Sequence, residues 1–140
     1  DYAAQLSAWV AEYDPDAPNP WPRFDLVLLG LGEDGHTASL FPGSPVEVDA
    51  PVIAVMADYQ GRPAGRVTLT PPVFNDAHNV TFLVSGKIKA NAVYGTFYKD
   101  DPVRFPAQRI HVIDGLEPIW FLDRAAAAKL PRSWRGRNYR

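Results

Sequence analysis

The sequence predicts an α/β domain of three layers, with a mainly parallel sheet and helices on both faces. Phe24 to Leu29 is, apart from Asp25, an apolar run without polar alternation, the pattern of a strand covered on both sides, and it gives way at once to a glycine-punctuated acidic loop, Gly30, Gly32, Glu33, Asp34, Gly35. Asn79 to Val84 reads as a further strand, the fourth along the chain, closed by Ser85 and Gly86 and followed by a segment of helical spacing. In sheets of this kind ligands bind beyond the carboxyl ends of the strands, so the loop after Leu29 is where a site is expected.

Size and composition narrow the classes. With 140 residues, 46% of them hydrophobic and 21% charged, the chain can bury a core and is not expected to be disordered. A net charge of −2 supplies no field that would recruit nucleic acid or an acidic membrane. There is no cysteine, hence no disulfide framework, no thiolate nucleophile and only His and carboxylates for a metal. The cytoplasm is the expected location. No apolar run approaches the length of a membrane span.

Taken in order, Asp1 can cap a helix over Tyr2 to Tyr13, because Leu6, Trp9, Val10 and Tyr13 fall at i, i+3, i+4 and i+7 and make one apolar stripe that needs a partner. The chain thus opens on a helix with no strand before it, as if entered in mid-pattern. Pro15, Pro18, Pro20 and Pro22 stiffen a connector that can be neither helix nor central strand. Val52 to Met56 reads as a strand, Tyr59 to Gly65 as turn, and Arg66 to Thr70 as a strand that alternates strictly, with Arg66, Thr68 and Thr70 on its polar face. Pro71 and Pro72 can open a short helix reaching His78. Ala90, Val93, Tyr94 and Phe97 predict a helix from Lys87 to about Lys99, with Ser85 as N-cap. Gln108 to Ile113 and Ile119 to Leu122 are expected as strands, and Asp123 as the cap of a last helix, Arg124 to Leu130. Residues 1–130 form the domain and 131–140 a loose basic tail.

Three chemistries can be weighed. Gly30, Gly32 and Gly35 satisfy the dinucleotide fingerprint G-x-G-x-x-G, but Pro42 leaves fewer than two helical turns, and Glu33 and Asp34 place negative charge where phosphates would lie. Asp34 and His36 can form a catalytic pair: an imidazole accepts a proton near neutrality, and a carboxylate close by holds the ring and stabilises the imidazolium. Free amides in the glycine-rich turn, at Gly32 and Gly35, could steady an oxyanion. Spacing alone supports equally a capping Asp34 and a His36 bonded to backbone. Arg66 and Lys89, beyond two different strands, would together make a phosphate site if they converge on the His36 loop; singly, each reads as a surface charge. His78 and His111 read as surface residues, and the tail's mix of arginine and aromatics as a frayed terminus.

Leu29 to Pro45, LGLGEDGHTASLFPGSP, resembles the signature of the 6-phosphogluconolactonases, and RVTLT (Arg66 to Thr70), FLVSGKIKA (Phe82 to Ala90), PAQRI (Pro106 to Ile110) and WFLDRAAA (Trp120 to Ala127) follow in that family's order. The resemblance implies a Rossmann-like fold and hydrolysis of 6-phospho-D-glucono-1,5-lactone to 6-phospho-D-gluconate in the pentose phosphate pathway, without a required cofactor. It implies His36 as the base that activates water, Asp34 as its orienting partner, and Arg66 and Lys89 as ligands of the substrate phosphate. It spans Phe24 to Leu130 and matches only the C-terminal part of the family's usual chain. The N-terminal portion, with its glycine-rich phosphate loop and Asp-Glu-Arg segment, has no counterpart, so the fold is expected to be incomplete and its site to lack a wall. The alternative is an inactive sugar-phosphate-binding fragment. In the related glucosamine-6-phosphate deaminases the loop continues after DGH with Asn-Glu-Pro, whereas Thr37 to Pro42 here supply no Glu for ring opening.

Overall fold

A computed structural model describes residues 1–45, 47–58, 61, 63–112 and 117–134. The first helix, α1 (Tyr2–Tyr13), begins where expected because Asp1 Oδ1 accepts the Ala3 amide at 3.1 Å, relieving one of the unpaired donors at its start. Of its predicted stripe only Leu6 and Val10 are buried; Trp9 and Tyr13 lie exposed, their rings tilted against each other with centroids 5.2 Å apart. The proline-rich connector is pinned by one carboxylate: Asp76 Oδ2 accepts from Asn19 Nδ2 at 3.0 Å and from Trp21 Nε1 at 3.1 Å.

The central sheet is parallel, in the order β1 (Val27–Leu29), β4 (Val80–Val84), β5 (Ile119–Leu122). Its register sets Leu29 beside Phe82 and Phe82 beside Trp120, and the Phe82 and Trp120 rings stack at 3.8 Å. On this face pack helix α2 (Pro71–Asn75) through Phe74, and helix α3 (Ala90–Tyr98) through Ala92, Val93 and Phe97, which meets Trp120 edge-on. The opposite face shows Leu26, Leu28, Leu83 and Phe121, all more than half exposed. The apolar run at Phe24 is therefore covered on one side here, not on both, and its regular strand is only three residues long.

Several expectations are corrected. Strands β2 (Val52–Met56) and β3 (Gly65–Leu69) form their own antiparallel pair rather than joining the parallel sheet. The eight residues between Met56 and Gly65 are too few for the crossover that parallel neighbours need. Gln108 to Val112 is not a strand: Pro106–Arg109 is a 3₁₀ turn, and the Asn75 side chain takes the place of a ladder, donating to the Arg109 carbonyl and accepting the His111 amide. Residue 113 of that expected strand, residues 59, 60 and 62 of the expected turn and residues 135–140 of the tail lie outside the described residues. Within the expected tail, Arg132–Trp134 is a 3₁₀ turn that lays Trp134 against Phe97 and Tyr98. The helix expected at Pro71 ends at Asn75, and the last helix is a 3₁₀ turn, Ala126–Lys129, opened by the Asp123 carboxylate on the Ala126 amide at 2.6 Å. Among the described residues no helix is long and apolar enough to cross a membrane.

Candidate active site

The loop after β1 is held at both ends before any functional group is placed. Thr37, almost wholly buried, donates its hydroxyl to the Gly30 carbonyl at 2.9 Å, and Leu40 is sealed in the core. Thr37 and Leu40 exchange backbone hydrogen bonds, closing a turn in which Ala38 takes φ 50°. A non-glycine residue in that region costs on the order of 1–3 kcal/mol and persists only where its surroundings enforce it. Here the Ser39 amide, donating to Thr68 Oγ1 of β3 at 3.2 Å, is part of what does so.

Inside this loop Asp34 and His36 meet. Asp34 Oδ1 accepts from His36 Nδ1 at 2.6 Å and from the His36 amide at 3.1 Å. With Nδ1 donating to a carboxylate, the ring's lone pair resides on Nε2, the nitrogen that can take a proton. Gly32 lies directly beneath: a Cβ there would fall 2.1 Å from His36 Nδ1 and 2.5 Å from Asp34 Oδ1. Gly35, at φ +96°, makes the turn between the pair. The amides of Gly32 and Gly35 are spent within the loop, on the carbonyls of His36 and Gly32. The expectation that they are free to meet an oxyanion is corrected: these glycines supply space and a turn, because hydrogen bonds inside so tight a loop consume its donors.

Arg66 reaches the same place by an unexpected route. The polar face of β3 is the inward one: Thr68 and Thr70 are buried while Val67 is exposed. Thr70 Oγ1 donates to the Ala50 carbonyl at 2.6 Å, and Thr68 Oγ1 to the Leu69 carbonyl. The Arg66 guanidinium carbon sits 5.4 Å from the centroid of Phe41, whose ring also packs against His36 at 4.6 Å between centroids. One phenyl ring thus carries the imidazole and the cation. Arg66 Nε and Nη2 are buried without a hydrogen-bond partner, an arrangement that is costly unless an anion completes it.

Lys89 is related to this loop by topology alone. Because β1 and β4 are parallel neighbours, the turn Lys87–Lys89 after β4 and the loop after β1 lie on the same rim of the sheet. That turn is capped by Gly86, at φ 98°, and not by Ser85 as expected; the Gly86 amide donates to Asp123 Oδ2 at 3.0 Å. His78 and His111 are exposed, and the His78 amide donates to the Phe24 carbonyl, before β1 rather than after it. An open cleft of about 450 Å³ between β1 and β3 borders the loop at Gly30, Ala38 and Ser39, but neither His36 nor Arg66 lines it.

Sequence reasoning missed Arg109. Only 5% exposed, it donates Nε to the Pro102 carbonyl at 2.8 Å, Nη1 to the Pro45 carbonyl at 2.7 Å and Ser44 Oγ at 3.2 Å, and Nη2 to the Ser44 carbonyl at 3.1 Å. Burial lowers its pKa, yet a guanidinium stays charged in proteins. Carbonyls rather than a carboxylate therefore carry this cation, and they tie the end of the His36 loop to the segment around Pro102. Nothing in the spacing of PAQRI announces that role.

Residues 1–120 match the sequence profile described as glucosamine-6-phosphate isomerases/6-phosphogluconolactonase. A probable 6-phosphogluconolactonase 1 of Arabidopsis thaliana is 42% identical over 116 residues, covering 79% of this chain and 43% of the relative. A 6-phosphogluconolactonase of Mycobacterium tuberculosis is 39% identical over 138 residues, covering 94% and 55%. The solved 6-phosphogluconolactonase of Trypanosoma brucei superposes with a TM-score of 0.72 at 31% identity, over 92% of this chain and 52% of that one. The chain spans about half the length of the curated relatives it matches. It belongs to the family of glucosamine-6-phosphate isomerases and 6-phosphogluconolactonases.

Proposed function

We propose that the chain carries the hydrolytic centre for 6-phospho-D-glucono-1,5-lactone, yielding 6-phospho-D-gluconate. The observation that carries this is the Asp34–His36 pair, 2.6 Å apart, sharing the Phe41 ring with a guanidinium that has buried, unbonded N–H groups. His36 Nε2 takes a proton from water as the oxygen attacks the lactone C1. Asp34 keeps the ring in that tautomer and stabilises the imidazolium that forms. Collapse of the tetrahedral intermediate breaks the bond from C1 to the ring oxygen, which receives the proton back from His36. The step needs no redox partner, since water adds across one ester bond. Arg66 and Lys89 hold the 6-phosphate, remote from C1, so their binding energy positions the carbonyl over the imidazole. Gly32 and Gly35 shape the floor on which the pair stands.

Amino-sugar deamination is disfavoured by the loop itself, which offers no carboxylate between Thr37 and Pro45 for ring opening. The span of about half the relatives' length favours a second reading, a fragment that binds the sugar phosphate without hydrolysing it. Acid release from the lactone, followed at constant pH above the spontaneous rate, separates them. Acid release supports hydrolysis; binding of 6-phosphogluconate without acid release supports the second reading; ammonia release from glucosamine 6-phosphate, or no binding at all, overturns both.

A further inference from the structure

We propose that Phe105 is a positioning residue for the Asp34–His36 pair, a ring-thick spacer that sets the catalytic turn at a fixed height above α3; this rests on the hydrolytic reading above. Two glycines make room for it. Gly95 lies in the interior of α3, where glycine costs roughly 1 kcal/mol relative to alanine, and a Cβ there would fall 2.1 Å from Phe105 Cζ and 2.2 Å from Cε1. On the other side lies Gly35, the residue between Asp34 and His36, whose Cβ would meet Phe105 Cδ1 at 3.0 Å and the Arg104 carbonyl at 3.3 Å. The ring is thus wedged between a helix and the peptide that joins the two catalytic groups.

The wedge does not float. The Phe105 amide donates to the Asp101 carbonyl at 2.8 Å, the Arg104 amide to Asp101 Oδ1 at 2.9 Å, and the Gln108 amide to the Phe105 carbonyl at 2.9 Å. Arg109 then binds this segment at Pro102 to the end of the catalytic loop at Ser44 and Pro45, and the Gly43 amide donates to the Val103 carbonyl at 3.0 Å. The loop is therefore fastened to residues 102–109 at one end and propped by Phe105 at its reacting turn. The helix that seats the ring at Gly95 follows directly on the turn bearing Lys89. Phe105 thereby fixes the distance between the base and the cation proposed to hold the phosphate.

The test is a double-mutant cycle in the 140-residue chain. Phe105→Leu leaves a gap under Gly35, and Gly95→Ala drives the ring into it; each is expected to lower kcat by roughly tenfold to a hundredfold, as misplacement of a reacting group by about 1 Å does, with KM moving much less. Combined, the slimmer Leu accommodates the new methyl, so Gly95→Ala/Phe105→Leu recovers much of the kcat that Gly95→Ala alone loses. A readout independent of turnover is the His36 Nδ1 proton in nitrogen-edited NMR: strongly hydrogen-bonded in the parent, weakened in Phe105→Leu and regained in the double variant. Should Phe105→Leu not fold, Phe105→Met keeps the volume without the flat ring and takes its place. Losses that simply add, or an unchanged His36 proton in a folded variant, overturn the proposal. An altered proton in a chain that hydrolyses nothing would uphold the positioning role while refuting the hydrolytic one.

Discussion

Replacing Gly32 by alanine perturbs the proposed chemistry while leaving both Asp34 and His36 in the sequence. The added methyl would lie 2.1 Å from His36 Nδ1, 2.3 Å from Cε1 and 2.5 Å from Asp34 Oδ1, whereas non-bonded carbon contacts settle near 3.5–4.0 Å. The imidazole must therefore retreat by more than about 1 Å, taking it out of the 2.6 Å contact with Asp34. Displacement on that scale costs on the order of 10² in rate, and loss of general-base help as a whole about 10²–10⁴, which brackets the expected fall in kcat. The atoms nearest the methyl belong to His36 and Asp34 and not to Arg66 or Lys89, so KM is expected to stay close to the parent value. Overpacking of this kind typically destabilises by about 1–3 kcal/mol, a change that thermal unfolding measures separately. The assay is acid release from the lactone at constant pH, corrected for spontaneous hydrolysis. An unchanged kcat in the folded variant would refute the placement of water activation at His36.

Arg66→Met removes buried N–H groups that have no partner, each costing about 1–3 kcal/mol when left unpaired, so the variant is expected to unfold at higher temperature while losing phosphogluconate affinity; lower stability with affinity intact would contradict the role given to that guanidinium. Phe82→Ala, at a side chain with no exposure stacked on Trp120, should cost about 3–5 kcal/mol in urea unfolding, and a cost near zero would mean that the sheet and α3 do not share this core. Asp76→Ala strands the donors of Asn19 and Trp21 and should destabilise by about 1–3 kcal/mol without altering kcat, since the hydrogen-bond partners of its carboxylate belong to the connector; a fall in kcat in a folded variant would show that the connector reaches the site.

Periodicity and caps made α1, β5 and the strand–loop–histidine stretch legible, because each depends on neighbours in sequence: Asp1 on Ala3, Asp34 on His36. Long-range substitutions for backbone partners were not legible. The Asn75 side chain satisfies Arg109 and His111 from more than thirty positions away, turning an apparent strand into a loop. Arg66 was readable as a residue on a polar face, but not that this face points inward, since among the described residues β3 pairs with β2 alone and its threonines find partners at Ala50 and Ser39. A clue to Phe105 was available: Gly95 interrupts a helix otherwise rich in alanine and aromatics, and a glycine in such a place commonly marks a close packing partner. Which partner is a matter of tertiary structure.

The central claim, that one aspartate-held imidazole activates water against a sugar-phosphate lactone, is tested most directly by His36→Ala measured for hydrolysis and for product binding together. The account predicts a fall in kcat of about 10²–10⁴, with 6-phosphogluconate still bound through Arg66 and Lys89. Lactone hydrolysis at the parent rate in that variant would contradict it.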